Sequence, residues 1–365
     1  MDPTGSFAGF ADYVAFAIFA GFADRVDGTA RPRFQAPQSR ARTPPGPDHV
    51  YGAILPCLAR PPRPATGTLH LMRTRPFAQV DVFGAEPYLG NPLAVILDAT
   101  DLTDADLLRI ARWTNLSETT FVLPPTLVGK AQGADYRVRI LTPADELPFA
   151  GHPTLGTAHA WVEDGWTPRV PGRIVQECGA GLVTVHQHRD DEDASTLAFE
   201  APPTTRSGPV SEDDLDTFCA SLHIHRDMVV DHQWVTNGPG WAALMLPTAD
   251  DVLALRPDFS AYPGLDLGVL GPYPAGSECA YEVRAFLSSE QPPVEDPVTG
   301  SLNASIGQWL LRTGQVAGPY TASQGTAIGR AGRVRVTPMT VPTTDRGNVL
   351  VGGTVMTLVR GSIRA

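Results

Sequence analysis

The chain has 365 residues, 42% of them apolar and 18% charged, which describes a globular protein of two or three domains rather than a disordered one. Its formal charge of −11 excludes the basic face that nucleic acid needs, and no Lys/Arg-rich run is present that would dock on an anionic membrane. No run reaches the roughly 18 apolar residues of a membrane span, and the four cysteines (Cys57, Cys178, Cys219 and Cys279) fit no zinc spacing, so they read as isolated thiols in a reducing, cytoplasmic setting.

Residues 1–71 differ from the rest. Phe-Ala-Gly-Phe-Ala-Asp occurs at 7–12 and again at 19–24, a Pro/Arg-rich tract follows, and the stretch holds ten prolines with little apolar periodicity. Such a composition buries too little surface to offset its ordering entropy. The expectation is a disordered leader or an over-long gene start, with the folded protein beginning near Met72.

From residue 77 the pattern predicts strands at 77–83, 93–97, 119–123, 136–141, 182–187 and 196–200. Thr103-Asp104-Ala105-Asp106 caps a helix over 107–113, and 153–163 forms a second helix of small and apolar residues that belongs at the centre of a domain. After the Pro-rich break at 201–208 the order restarts. A helix at 211–222 leads to strands at 233–236 and 241–246, a helix at 249–255 and a strand at 279–286. A helix from Ser301 to Arg312 then precedes strands at 333–337, 349–351 and 354–359. Strand–helix–strand order in both parts implies an α+β protein of two pseudo-symmetric domains, each a mixed β-sheet wrapped around a central helix. The expected boundaries are 72–200 and 209–353, with 354–365 returning to the first domain.

Glu146-Leu147-Pro148-Phe149-Ala150-Gly151-His152-Pro153-Thr154-Leu155-Gly156 is a strand end, a glycine turn and a helix start. It presents backbone amides and a histidine together, which suits a small anion. Glu295-Asp296-Pro297-Val298-Thr299-Gly300-Ser301 has the same form about 150 residues downstream, suggesting duplicated halves facing one substrate. Glu118 sits between the first helix and the strand at 119–123. Partly desolvated by Leu116 and Phe121, it would hold and exchange a proton with carbon; alternatively it is a surface glutamate at a turn. His152 reads either as a helix cap whose ring faces the first-turn amides or as a packing residue. His159 belongs to core or surface, and His186 and His188 to a solvated edge near the acidic stretch 190–193. Asp296, held extended by the following proline, is either a cap or a carboxylate that binds a substrate amino or hydroxyl group. The Gly-bounded segments 238–240 and 324–330 are turns first. Dinucleotide, Walker, zinc-protease and serine-hydrolase motifs are missing from the contexts they require.

Asp81-Val82-Phe83 with Gly90-Asn91-Pro92-Leu93-Ala94-Val95, then 115–122, 139–153, 295–301 and 324–330, occur in one order across 75–365. Together they resemble the PhzF-like family of phenazine-biosynthesis isomerases, which has the diaminopimelate-epimerase-like fold. The resemblance implies a cofactor- and metal-free isomerase that moves a proton between carbons of a small carboxylated metabolite, as in dihydro-hydroxyanthranilate isomerisation, within a cleft between two domains of a homodimer subunit. It further implies Glu118 as proton shuttle, His152 and Asp296 as polar substrate contacts, and Gly151, Gly300 and Ser301 as the carboxylate's donors. Racemases of the same fold carry a cysteine just before each Gly-polar pair. Those positions here are Ala150 and Thr299, so a two-thiol reaction is not expected. A same-fold epimerase or dehydratase using Glu118 alone, and a catalytically retired metabolite-binding scaffold, are the competing readings.

Overall fold

Short β-branched and apolar runs punctuated by turn residues give seventeen strands among the described residues, and their hydrogen bonds join into one continuous sheet. The structure, a computed structural model, describes residues 72–189, 195–237, 240–259, 264, 266–288, 293–339 and 348–365. The expected leader at 1–71, the acidic stretch 190–193 and two residues of the 238–240 turn lie outside the described residues.

In chain order the first part contributes β1 (Thr74–Val82), β2 (Asn91–Ile96), α1 (Asp104–Thr114), β3 (Thr119–Leu123), α2 (Leu127–Ala131), β4 (Tyr136–Leu141), β5 (Glu146–Leu147), α3 (Gly151–Glu163), β6 (Arg173–Cys178), β7 (Gly181–Arg189) and β8 (Ser195–Glu200). The second contributes α4 (Glu212–Leu222), β9 (Asp231–Trp234), β10 (Trp241–Met245), α5 (Ala249–Ala254), β11 (Asp266–Pro272) and β12 (Tyr281–Leu287). It continues with β13 (Val294–Asp296), α6 (Gly300–Arg312), β14 (Tyr320–Gln324), β15 (Gly332–Pro338), β16 (Val349–Gly353) and β17 (Val355–Arg364).

The pairings repeat strand for strand. β1 runs antiparallel to β2, β2 parallel to β3, β3 antiparallel to β4, β4 parallel to β6, and β6, β7 and β8 follow antiparallel. From β9 onward the same series of senses links β9, β10, β11, β12, β14, β15 and β16. β5 and β13 are equivalent short additions to β4 and β12, each leading into a thirteen-residue helix. The two series meet where β8 pairs with β16, and β17 returns to lie antiparallel along β1.

The architecture is α+β. α3 packs on β1, β2 and β8, and α6 on β15 and β16. Both helices are buried along most of their length, which is why their sequences lack a charged face. The sequence pattern passed over β6, β11 and β14. Each has polar residues or glycine at some buried positions: Gln176 of β6 accepts from Tyr136 Oη at 3.0 Å and donates to Thr154 Oγ1 at 3.0 Å, replacing apolar burial with satisfied hydrogen bonds. The strand expected at 233–236 ends at Trp234, and Thr236 makes only an isolated bridge to Arg206.

α3 and α6 meet start to start. A Cβ on Gly151 would lie 2.7 Å from Gly300 Cα, and one on Gly300 would lie 2.9 Å from Gly151 Cα. Backbone therefore faces backbone, and neither position has room for a side chain. Gly151→Ala should lower the unfolding free energy by about 1–3 kcal/mol in denaturant titration, because the clash is with main chain that cannot rotate away. Gly361→Ala, where an added Cβ meets nothing within 4 Å, should stay within about 0.5 kcal/mol of wild type. Equal effects at both positions would show that the helix starts separate freely.

Candidate active site

Three turns deliver the polar groups to one place. α1 ends at Asn115 in the left-handed conformation (φ 55°), a geometry asparagine tolerates, and its amide bonds back to Ala111 O. The chain then reverses, and Thr114 Oγ1 meets Thr119 Oγ1 at 2.6 Å, fixing the junction that holds Glu118. Ala150 and Thr299 are the extended N-cap residues of α3 and α6, neither making a side-chain cap bond to its helix. Asp296 closes β13.

These pieces border a cavity of about 420 Å³ lined by Glu118, Ala150, Asp296, Thr299 and Ser301 among others, with Leu116, Leu147, Trp241 and Leu287 as apolar wall. That volume suits a single small ring or branched acid. The lining includes four carboxylates (Glu118, Asp266, Glu295 and Asp296) and neither lysine nor arginine. Glu295 is neutralised from behind by Arg284, whose Nε and Nη2 reach its two oxygens at 3.0 and 2.7 Å. The first turns of α3 and α6 bring partial positive charge toward these carboxylates, because the leading amides of a helix have no acceptor inside it.

Behind the cavity a buried network ties the two parts together. Asn91, the first residue of β2, places its side-chain amide nitrogen 2.9 Å from Asp296 Oδ1, 2.9 Å from Val298 O and 3.2 Å from His152 Nδ1. Thr299 Oγ1 donates to Asp296 Oδ2 and accepts from Gln324 Nε2 at 2.9 Å. Gln324 Oε1 in turn accepts from Thr299 N at 3.0 Å and Asn303 Nδ2 at 2.8 Å. On the cavity side, His152 Nε2 approaches Glu118 Oε2 at 3.4 Å, with the imidazole 4% and the carboxylate 14% exposed. Trp241 Nε1 lies 3.4 Å from Ser301 Oγ.

Burial holds His152 neutral, lowering its pKa to about 3. Burial pushes Asp296 up to about 6, against the hydrogen bonds from Thr299 and Asn91 and with a smaller push from the neighbouring Glu295.

The structure thus brings Glu118, His152, Asp296 and Ser301 to one site. Gly151 and Gly300 lie where the helix starts touch rather than on the cavity wall. His152 is the second residue of α3 and not its cap, because the chain is still extended at Ala150 (φ −148°) and turns helical at Gly151. His159 lies 3.3 Å from Glu163 and 3.1 Å from Thr357, and His186 lies 2.8 Å from Glu200, all away from the cavity. None of Cys178, Cys219 and Cys279 falls on either helix start. No helix among the described residues is long and apolar enough to cross a membrane. Sequence reasoning missed Asn91, Thr299 and Gln324 as members of the network. Their only signal was position, immediately beside glycine at a strand or helix boundary.

Residues 80–361 match the family model described as phenazine biosynthesis-like protein. Antisense-enhancing sequence 1 of Schizosaccharomyces pombe is 33% identical over 299 residues, covering 80% of this chain and 99% of that protein. The trans-2,3-dihydro-3-hydroxyanthranilate isomerase of Pseudomonas fluorescens is 35% identical over 253 residues, 69% of this chain and 86% of the relative. A crystal structure of the Bacillus anthracis phenazine biosynthesis protein of the PhzF family superposes with a TM-score of 0.69 at 20% identity, covering 80% and 99% of the two chains, and so shares the fold.

The two buried groups make opposite contributions to stability against pH. Asp296, raised above its ordinary 3.8, stabilises fully below that value and loses its contribution as pH rises through about 6. His152, lowered from 6.5, stabilises fully above 6.5 and loses its contribution as pH falls toward 3. Between about pH 4 and 6 they offset each other. Relative to wild type, His152→Gln should therefore gain stability on acidification through this window and Asp296→Asn should lose it, read as urea midpoints. Parallel midpoint curves for all three proteins would contradict the assignment.

Proposed function

Because the chain belongs to the phenazine biosynthesis-like (PhzC-PhzF) family, we propose that it is an isomerase moving a proton between carbons of a small carboxylated metabolite, with Glu118 as the shuttle. The observation that carries this reading is the meeting of Glu118 and His152 at 3.4 Å beside two helix starts on one cavity.

A substrate carboxylate placed against the first turns of α3 and α6 and the hydroxyl of Ser301 is stabilised without a basic side chain. Glu118 takes a proton from a carbon conjugated to that carboxylate. The electron pair left behind spreads into the carboxylate, where the same amides stabilise the growing charge. The protonated Glu118 then returns its proton to a second carbon on the same face, which regenerates the carboxylate. One base serving both steps is consistent with Ala150 and Thr299 at the two helix caps, since neither can shuttle a proton as a thiol would. The apolar wall of Leu116, Leu147, Trp241 and Leu287 suits a ring, and Asp296 offers an acceptor to an amino or hydroxyl substituent. The chemistry needs no cofactor, and the substrate class extends to the dihydro-hydroxyanthranilate type named for the Pseudomonas relative.

Incubation in deuterium oxide with a panel of cyclic amino and hydroxy acids, including trans-2,3-dihydro-3-hydroxyanthranilate, should give deuterium at carbon in at least one compound by NMR. Glu118→Gln should slow that exchange by about 10²–10⁴-fold, the usual contribution of a general acid–base. Exchange that persists in Glu118→Gln would remove the shuttle role. Binding across the panel without any exchange would favour the metabolite-binding scaffold.

A further inference from the structure

We infer that Asn91 is a positioning residue that fixes His152 in its Nε2–H tautomer, so that the imidazole presents a donor, and no basic lone pair, to Glu118 and the cavity. The atom of Asn91 nearest His152 is its amide nitrogen and not its oxygen, because the same atom lies 2.9 Å from the Val298 carbonyl and 2.9 Å from an Asp296 oxygen, both acceptors. That nitrogen is 3.2 Å from His152 Nδ1, and it is the hydrogen-bond partner of Nδ1 in the described structure. A proton on Nδ1 would point at an NH2 group with nothing to accept it. Two hydrogens serve three acceptors here, so one contact is shared, yet each arrangement leaves Nδ1 facing a donor. The ring's single proton therefore sits on Nε2, the atom 3.4 Å from Glu118 Oε2.

The charged groups around the ring make this placement consequential. Glu118 approaches Nε2 from the α1–β3 junction and Asp296, at the end of β13, shares the Asn91 amide with the ring, so a second proton could enter only at Nδ1. Asn91 occupies the place where that proton would go. The inference about the tautomer stands on geometry alone; its catalytic meaning rests on the proposed isomerase reading. On that reading, His152 cannot compete as the carbon base, and the abstracted proton stays on Glu118.

Long-range ¹H–¹⁵N correlation of protein labelled at histidine tests the placement without any substrate. His152 is assigned by the signal lost in His152→Gln. Wild type should show His152 with a protonated Nε2 and an unprotonated Nδ1, unchanged from pH 5 to 8. In Asn91→Asp an acceptor replaces the donor, and Nδ1 should gain a proton within that range. A wild-type ring protonated at Nδ1 would overturn the inference whatever the variants do. So would an Asn91→Asp variant, folded by circular dichroism, whose Nδ1 stays unprotonated. Neither result bears on deuterium exchange into a substrate, so failure here and failure of the isomerase reading are separable.

Discussion

Two helices that begin against each other set the terms for everything around them. At Gly151 and Gly300 the main chains are in contact, so two partial positive charges of the same sign are held together inside the protein. Such an arrangement is unfavourable unless negative charge lies nearby. The protein supplies Glu118 and Asp296 at this point and leaves a cavity open between them. With neither lysine nor arginine on the cavity wall, partial positive charge there comes from the helix starts, and it can neither swing nor titrate.

The duplicated pairing series explains how one place comes to be served by both parts of the chain. Each series carries its long helix at the same step, after a short strand added to its fourth strand, so the two caps arrive as structural equivalents. Their side chains have nonetheless diverged. Ala150 contributes only space, whereas Thr299 anchors Asp296 and Gln324. The equivalent strands β3 and β11 open beside Glu118 and with Asp266, and both carboxylates line the cavity. Symmetry of backbone thus supports asymmetry of chemistry.

Much of this was legible in the sequence. The two Gly-polar helix starts, Glu118 at a helix–strand junction and the α+β order could all be read from local pattern, because each depends on residues close together in the chain. Residues 146–156 and 295–301 advertise themselves through glycine, proline and a polar neighbour. Asn91, between Gly90 and Pro92, has a similar setting, but its role was hidden because its three partners come from positions 61 to 207 residues away. Gln324 looked like part of a turn, but it closes β14, and its side chain reaches back 25 residues to the cap of α6. Strands β6 and β14 escaped hydrophobic patterning because Gln176 and Gln324 hold buried positions through hydrogen bonds. Polar residues inside a core carry no periodicity that marks them as interior.

The return of β17 to β1 has a consequence for how the protein comes into being. Arg75 at the start of β1 bonds the main chain of Ala365, a contact spanning 290 residues, and the whole length of β1 is paired with β17. During synthesis β1 leaves the ribosome early and meets β2 at once, but its other edge has no partner until the last strand has been made. The sheet that surrounds α3 therefore stays open along that edge until β17 has been made. Closure of that edge is a late, non-local step of the kind that slows folding and lengthens exposure of an unpaired strand.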